Sequence, residues 1–265
     1  MLTDHYPQIR GLILDMDGVL WHDNETIGNL SNIFTEISRM GLQVTFATNN
    51  ATKSVGEFRK KLAGFGVKVR PEQIITSANA ALHYISSRYT PQSRVYVLGS
   101  KSLRDHVRKH GFTVVDEAEP ANVDIVLVAL DTSINYQKLG YAGLLIRAGA
   151  AFIVTNTDAT YPTPSGQMPG AGTIAAAVAA ASGQEPLVIG KPQPTMFLHA
   201  MELMGINPNE TMCVGDRLET DILGGQNVSC LTALVLSGVS TLDQAKHWQP
   251  QPTVIAKDLS SLIYD

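Results

Sequence analysis

Two aspartates, Asp15 and Asp17, follow a short apolar run, Gly11–Leu14, and are followed in turn by Gly18. An apolar run without helical spacing is typical of a strand that is buried on both faces. Carboxylates at the end of such a strand can act as nucleophile, as general acid and base, or as metal ligands. If the strand continued through both aspartates, their side chains would point the same way.

Three further polar groups follow predicted strand ends or short loops farther along the chain. They are Thr48 with Asn49, Lys191, and Asp216 with Glu219 and Asp221. Each group alone is typical of an ordinary turn or helix cap. In an open parallel α/β sheet, however, the carboxyl ends of the strands share the edge where ligands bind. We therefore expect the four groups to meet at one edge.

Carboxylates and hydrogen-bond donors gathered at one edge would suit a bound cation and a bound anion. Close carboxylates would repel one another by about 4 kcal/mol per pair at an effective dielectric constant of roughly 20. A divalent cation would relieve this repulsion, and oxygen ligands without a Cys–His cluster favour Mg²⁺ over zinc. Thr48, Asn49 and Lys191 supply hydroxyl, amide and ammonium donors, which suit an anion. A phosphoryl group fits, because its transfer is catalysed largely by positioning and charge neutralisation.

The elements that would position these residues alternate between strands and helices. Strands are predicted to begin at residues 11, 43, 94, 124, 151, 187, 211, 231 and 253, and helices at residues 30, 54, 102, 136, 173 and 196. This alternation is typical of parallel sheets with right-handed crossovers. We predict an α/β fold with a core domain formed by 1–80 and 186–265, and an inserted α/β domain at 81–185.

The four groups resemble the ordered motifs of the haloacid dehalogenase-like (HAD) superfamily. The motifs are Asp15-Met16-Asp17-Gly18-Val19, Thr48-Asn49, Lys191 and Gly215-Asp216-Arg217-Leu218-Glu219-Thr220-Asp221. The long insertion between the second and third motifs resembles the C2-type cap of the NagD-type, or p-nitrophenylphosphatase-like, subfamily. Within it, residues 130–131, 152–158 and 169–173 are also similar to that subfamily. The resemblance implies a Rossmann-like parallel-sheet core with an inserted α/β cap.

The resemblance also implies residue roles. Asp15 would be the nucleophile that forms an aspartyl-phosphate, and Asp17 the general acid and then the general base. Mg²⁺ would be held by Asp15, the backbone carbonyl of Asp17 and Asp216. Asp221 and Glu219 are candidates to support the ion through waters or hydrogen bonds. Thr48, Asn49 and Lys191 would bind the phosphoryl group.

The expected activity is hydrolysis of a small phosphomonoester of the nucleotide, sugar phosphate, phosphoglycolate or pyridoxal phosphate class. Two alternatives stay open: a phosphotransferase or mutase that uses the same aspartyl-phosphate, and a non-catalytic sensor of phosphorylated metabolites. The second aspartate argues against a dehalogenase. Residues 161–170 form a candidate substrate loop or a plain connection. Asp131, Asn156 and Asp158 are candidates to line the cleft, whereas His22 is expected in a surface loop.

The amino-acid composition bears on which partners and which cellular location are expected for the protein. The chain has 265 residues, 44% hydrophobic and 17% charged, with a formal net charge of −4. This balance argues against a nucleic-acid polymer as partner, since no basic face is evident. No apolar run reaches the length of a membrane span, and the polar first ten residues lack a signal peptide, so a cytoplasmic location is expected. Cys213 and Cys230 are expected to be buried and reduced. The resemblance is also compatible with a cap-to-cap homodimer.

Overall fold

The computed structural model describes residues 1–116, 122–163 and 166–265. The chain divides into two compact units. The first unit comprises Met1–Thr48, Val55–Ile75 and Lys191–Asp265, and the second comprises Asn49–Ser54 and Thr76–Gly190. The second unit therefore extends beyond the predicted insertion, 81–185, at both ends.

A six-stranded sheet forms the centre of the first unit. Its strands are β1 (Gly11–Leu14), β4 (Gln43–Thr48), β5 (Ile74–Thr76), β13 (Thr211–Gly215), β14 (Leu231–Val235) and β15 (Val254–Ala256), and a short hairpin, β2 (Trp21–His22) with β3 (Glu25–Thr26), follows β1. The strand order in the sheet is β15-β14-β13-β1-β4-β5. All four residues of β1 are buried, as its apolar run predicts. It lies between β13 and β4 and runs parallel to both.

Helices cover this sheet. They are α1 (Leu2–His5), α2 (Leu30–Arg39), α3 (Val55–Gly64), α8 (Thr195–Met204), α9 (Leu223–Asn227), α10 (Leu242–His247) and α11 (Leu259–Tyr264). Helix α2 shows why the sequence folds this way. Leu30, Ile33 and Ile37 recur at helical spacing and are buried, while the Asn29 side chain accepts a hydrogen bond from the Asn32 amide at 3.1 Å.

The second unit contains a five-stranded sheet with helices and a hairpin. Its elements are α4 (Ser77–Arg88), β6 (Arg94–Leu98), α5 (Lys101–Lys109), β7 (Thr113–Val115), β8 (Ile125–Val128), α6 (Tyr136–Arg147), β9 (Ala151–Val154), β10 (Thr160–Thr163), β11 (Gly166–Pro169), α7 (Ala171–Ser182) and β12 (Leu187–Val188). The strand order in the five-stranded sheet is β12-β9-β8-β6-β7. The paired strands of this sheet run parallel. The predicted α/β class, with a Rossmann-like core and an α/β insertion, is confirmed.

Two local predictions need correction. The sequence predicts that the strand at 187–189 belongs to the core domain, but Leu187 and Val188 pair with Ile153 and Val154 of β9 in the second sheet. The candidate loop at 161–170 is largely an antiparallel hairpin, in which Tyr161 pairs with Met168. Residues 164 and 165 of that loop lie outside the described residues.

Within the described residues, Cys213 and Cys230 are buried and unbridged. None of the helices described combines the length and the apolarity that a crossing of a lipid bilayer requires.

Candidate active site

Parallel register brings the acidic motifs to one edge of the first sheet. Leu14, the last residue of β1, pairs with Val214 of β13, and the Asp15 amide continues this ladder by donating to the Val214 carbonyl at 2.9 Å. Asp216 therefore follows β13 at the same edge where Asp15 follows β1. On the other side of β1, Thr48 is the buried last residue of β4.

Lys191 lies at the centre of this edge. Its Nζ donates to Asp15 Oδ1 at 2.7 Å, to Asp221 Oδ1 at 2.6 Å and to the carbonyl of Ala47 at 2.8 Å. A lysine ammonium has three N–H donors, and these three acceptors match them. Burial disfavours the charged ammonium, but Asp15 and Asp221 outweigh it and raise the pKa of Lys191. The amine therefore stays protonated against the Asp15 carboxylate.

Three carboxylates converge around this lysine. Oxygen atoms of Asp15, Asp216 and Asp221 all lie within 4.8 Å of one another. Burial, together with the neighbouring charge of Asp221, raises the pKa of Asp216 to about 6. Burial also raises the pKa of Asp15 well above its ordinary value, although Lys191 opposes that rise. One ammonium does not neutralise three carboxylates, so the group has the excess negative charge that a divalent cation would balance.

Backbone atoms hold Asp216 in place. The Val239 amide donates to Asp216 Oδ2 at 2.8 Å. A Cβ at Gly238 or at Gly18 would lie 2.0 Å or 2.5 Å from this oxygen, and Gly18 also has a φ of +81°. Glycine is therefore required at both positions. The Ser237 hydroxyl ties the two loops together by donating to the Gly18 carbonyl at 2.7 Å.

Asp221 is held by a turn of π-helix that spans Leu218–Ile222. The Arg217 amide donates to Asp221 Oδ2 at 3.2 Å, while Oδ1 accepts from Lys191. A Cβ at Gly215 would lie 2.1 Å from the Asp221 Cβ, so the strand end must be glycine for this aspartate to fit. Glu219, by contrast, is exposed and is not part of the carboxylate group.

Asp17 does not lie where a continued strand would place it. Strand β1 ends at Leu14, so Asp17 lies in the following turn, with an exposed side chain outside the carboxylate group. Its Oδ1 accepts a hydrogen bond from the Trp21 indole Nε1 at 2.8 Å. The chain turns between Asp15 and Asp17, so the condition under which their side chains would point the same way, a strand continuing through both, is not met.

Asn49 belongs to the second unit, although Thr48 belongs to the first. Its carbonyl accepts from the Ser77 hydroxyl at 2.7 Å and from Asn156 Nδ2 at 2.8 Å. Its side-chain amide donates to Asp158 Oδ1 at 3.3 Å. Asn156 and Asp158, predicted as cleft residues, thus anchor the chain segment that follows Thr48.

Asp131 is buried within the second unit. It accepts hydrogen bonds from Lys138 Nζ at 2.8 Å and from the Ser133 amide at 2.8 Å. These contacts connect a turn to the start of α6, and they explain the burial of the Asp131 carboxylate without a ligand. The contacts of Trp21 and of the Ala47 carbonyl have no sequence signature, because a hydrogen bond from an indole and one to a backbone oxygen leave no motif.

Comparison with known proteins agrees with this geometry. The sequence profile described as Haloacid dehalogenase-like hydrolase matches residues 12–113, and a second, described as HAD-hydrolase-like, matches residues 188–262. The two matches contain the four motifs between them.

Named relatives match over nearly the whole chain. An acid sugar phosphatase from Staphylococcus haemolyticus is 35% identical over 96% of this chain and 95% of its own length. The structure of NagD from Escherichia coli is similar, with a TM-score of 0.85, 32% identity, and 95% and 97% coverage of the two chains. A glycerol phosphate phosphatase from Mycobacterium tuberculosis, solved in complex with magnesium, has a TM-score of 0.86 and 32% identity, covering 97% of this chain and 77% of that one.

The family profiles, the curated relative and the similar structures all belong to one superfamily of enzymes, and that superfamily has the motifs found at the edge of the first sheet. The chain belongs to the haloacid dehalogenase-like hydrolases and, within that superfamily, to the NagD-type phosphatases.

Proposed function

We propose that this enzyme is a Mg²⁺-dependent phosphatase that hydrolyses small phosphomonoesters through an aspartyl-phosphate on Asp15. The observation that carries the proposal is the position of Lys191. Its ammonium contacts Asp15 directly, beside the carboxylates of Asp216 and Asp221. A nucleophilic carboxylate, a fixed cation and spare negative charge for a metal are thus assembled at one point.

The donor set fits Mg²⁺. Asp15 and Asp216 would hold the ion together with the backbone carbonyl of Asp17, while Asp221 is engaged by Lys191 and the Arg217 amide. Oxygen ligands of this kind are those that Mg²⁺ takes in phosphoryl-transfer enzymes. When bound, the ion would neutralise charge on the phosphoryl oxygens and on the attacking carboxylate.

The chain's own residues then account for the reaction. A carboxylate oxygen of Asp15 forms a bond to phosphorus while the bond from phosphorus to the leaving oxygen breaks. Asp17 donates its proton to that oxygen, which leaves as an alcohol. In the second step Asp17 accepts a proton from water, the water oxygen bonds to phosphorus, and the Asp15–phosphorus bond breaks to release phosphate. Thr48 would hold a phosphoryl oxygen during both steps, while the Lys191 ammonium stays against Asp15 and offsets the charge of its carboxylate.

The names of relatives favour part of the expected substrate range. One relative is named an acid sugar phosphatase and another a glycerol phosphate phosphatase. We therefore place sugar and polyol phosphates ahead of nucleotides, phosphoglycolate and pyridoxal phosphate as substrates of this enzyme. The predicted cytoplasmic location and homodimer are not needed for this assignment and stay predictions.

Phosphate release tests the proposal directly. We expect turnover of p-nitrophenyl phosphate with MgCl₂, none with excess EDTA, and loss of turnover in Asp15→Asn. The matched control is Asp243→Asn, which makes the same change at an exposed position of α10 and should retain activity. Full activity of Asp15→Asn, or metal-independent turnover, would refute the proposal. Accumulation of an isomerised sugar phosphate in place of free phosphate would instead indicate a mutase.

A further inference from the structure

The general acid in this mechanism, Asp17, is an exposed side chain in a turn. An exposed aspartate samples several rotamers, whereas proton transfer requires one carboxylate oxygen near the leaving oxygen. Trp21 Nε1 donates to Asp17 Oδ1 at 2.8 Å and opposes this freedom. The turn itself is closed by the Gly18 amide, which donates to the Trp21 carbonyl at 2.9 Å.

Trp21 is itself rigidly held within the first unit. Its side chain is 0% exposed, although it follows an active-site turn and begins the hairpin of β2 and β3. The Phe65 ring packs against the indole with centroids 5.9 Å apart. The Lys61 Nζ lies over the face of the indole ring, 4.0 Å from its centroid. The same ammonium donates to the Asp23 carbonyl at 2.5 Å. A cation on the face of an indole stabilises that ring position.

The chemistry of the indole selects one oxygen of Asp17. An indole N–H is a donor only, so Oδ1 must accept from it whether Asp17 is ionised or protonated. The carbonyl oxygen of a neutral carboxylic acid is a better acceptor than its hydroxyl oxygen, so a carboxyl with Oδ1 on the indole N–H carries its proton on Oδ2. We propose that Trp21, held by Lys61, is a positioning residue that fixes the Asp17 carboxyl so that Oδ2 delivers the proton to the leaving oxygen. This inference rests on the proposed phosphatase function.

The proton balance is complete in both half-reactions. Oδ2 loses its proton to the leaving oxygen as the phosphorus–oxygen bond breaks, and Oδ2 regains a proton from water as phosphate is released. Oδ1 keeps the indole hydrogen bond throughout and exchanges no proton. Trp21 thus touches neither substrate nor phosphorus and acts through Asp17.

The leaving group distinguishes this role from simple packing. p-Nitrophenolate is a stable anion at neutral pH and leaves with little protonation, whereas an alkoxide needs the proton from Asp17. The ratio kcat/KM reports the steps up to departure of the leaving group. A misplaced acid therefore lowers kcat/KM for glycerol 1-phosphate much more than for p-nitrophenyl phosphate, with phenyl phosphate between them.

The test compares three variants over these three substrates. Trp21→Phe removes the N–H and keeps an aromatic ring. We expect kcat/KM to fall about 10- to 100-fold for glycerol 1-phosphate but less than about 3-fold for p-nitrophenyl phosphate. Lys61→Met should give a smaller loss with the same order of substrates. Phe65→Leu is the matched control, because it loosens the packing but leaves the N–H in place, so any loss should be equal for all three.

Each outcome decides the inference. A loss in Trp21→Phe that is equal for all substrates, or no loss, would overturn the positioning role and show that Trp21 only fills space. If Trp21→Phe does not fold, Lys61→Met decides in the same way, with an unselective effect refuting the role. A wild-type enzyme that releases no phosphate from any of the three substrates would refute the proposed function itself, which is a distinct result.

Discussion

Replacing Asp216 with asparagine should stabilise the metal-free protein while abolishing its function. Burial, with the charge of Asp221, raises the pKa of Asp216 from the ordinary value of 3.8 to about 6. A raised pKa means that ionisation of this group destabilises the folded state, since the unfolded chain ionises more easily. The interval between 3.8 and about 6 corresponds to about 3 kcal/mol at a pH above both values.

The sign and the pH window follow from linkage. The destabilisation is absent below pH 3.8, grows as the pH rises through the interval, and is complete above about 6. Asparagine carries no charge and its side-chain oxygen can still accept from the Val239 amide. We therefore expect the free energy of unfolding of Asp216→Asn in EDTA to exceed that of the wild type by up to about 3 kcal/mol at pH 8, and by about half as much at pH 5.

Urea denaturation followed by tryptophan fluorescence measures this effect. The chain has two tryptophans, Trp21 and Trp248, and both lie in the first unit with the active site. Mg²⁺ at 100 times its dissociation constant should stabilise the wild type by about 2.7 kcal/mol and stabilise Asp216→Asn much less. The reasoning would be refuted by a variant less stable than wild type in EDTA at pH 8, or by a gain that does not change between pH 5 and pH 8.

Three further outcomes follow from the same contacts. Lys191→Met should lose about 3–5 kcal/mol of stability in EDTA, because it leaves buried carboxylates unpaired, and urea titration measures this loss. Burial would raise the pKa of Asp131, but hydrogen bonds from Lys138 and from Ser133 lower it. Ionised Asp131 therefore adds to the free energy of unfolding above pH 3.8, and this contribution is lost as the pH falls through the lowered pKa. The melting temperature of Asp131→Asn should accordingly fall less steeply with acidification than that of the wild type. Gly238→Ala should weaken Mg²⁺ binding at least about 10-fold in calorimetry by displacing a carboxylate, whereas Gly140→Ala, with open space around it, should bind normally.

The sheet and the meeting of the motifs could be predicted because both depend on simple regularities. Buried parallel strands are continuous apolar runs, so β1 and β13 are visible in the sequence, and their carboxyl ends must share an edge. The proximity of Asp15 and Asp216 follows from this register without knowledge of any side-chain contact.

What could not be predicted depends on contacts between side chains or on short elements. Strand β12 has two residues, and nothing in so short a segment tells which sheet it joins. The sequence pattern does not predict helix α4, because small side chains, Ser77, Ala78 and Ala81 among them, form much of its buried face and give a weak periodic signal. The bond between Trp21 and Asp17 depends on a turn whose shape appears only in three dimensions.

The central claim is that Asp15 accepts the phosphoryl group, and trapping tests it most directly. The enzyme is mixed with a phosphorylated substrate and MgCl₂, quenched in acid, and treated with borohydride, which reduces an acyl phosphate to an alcohol. Peptide mass spectrometry then locates the change. The mechanism predicts reduction of the residue 15 side chain, dependent on substrate and absent from Asp15→Asn. Reduction at another carboxylate, or rapid phosphate release with no trapped species at residue 15, would contradict it.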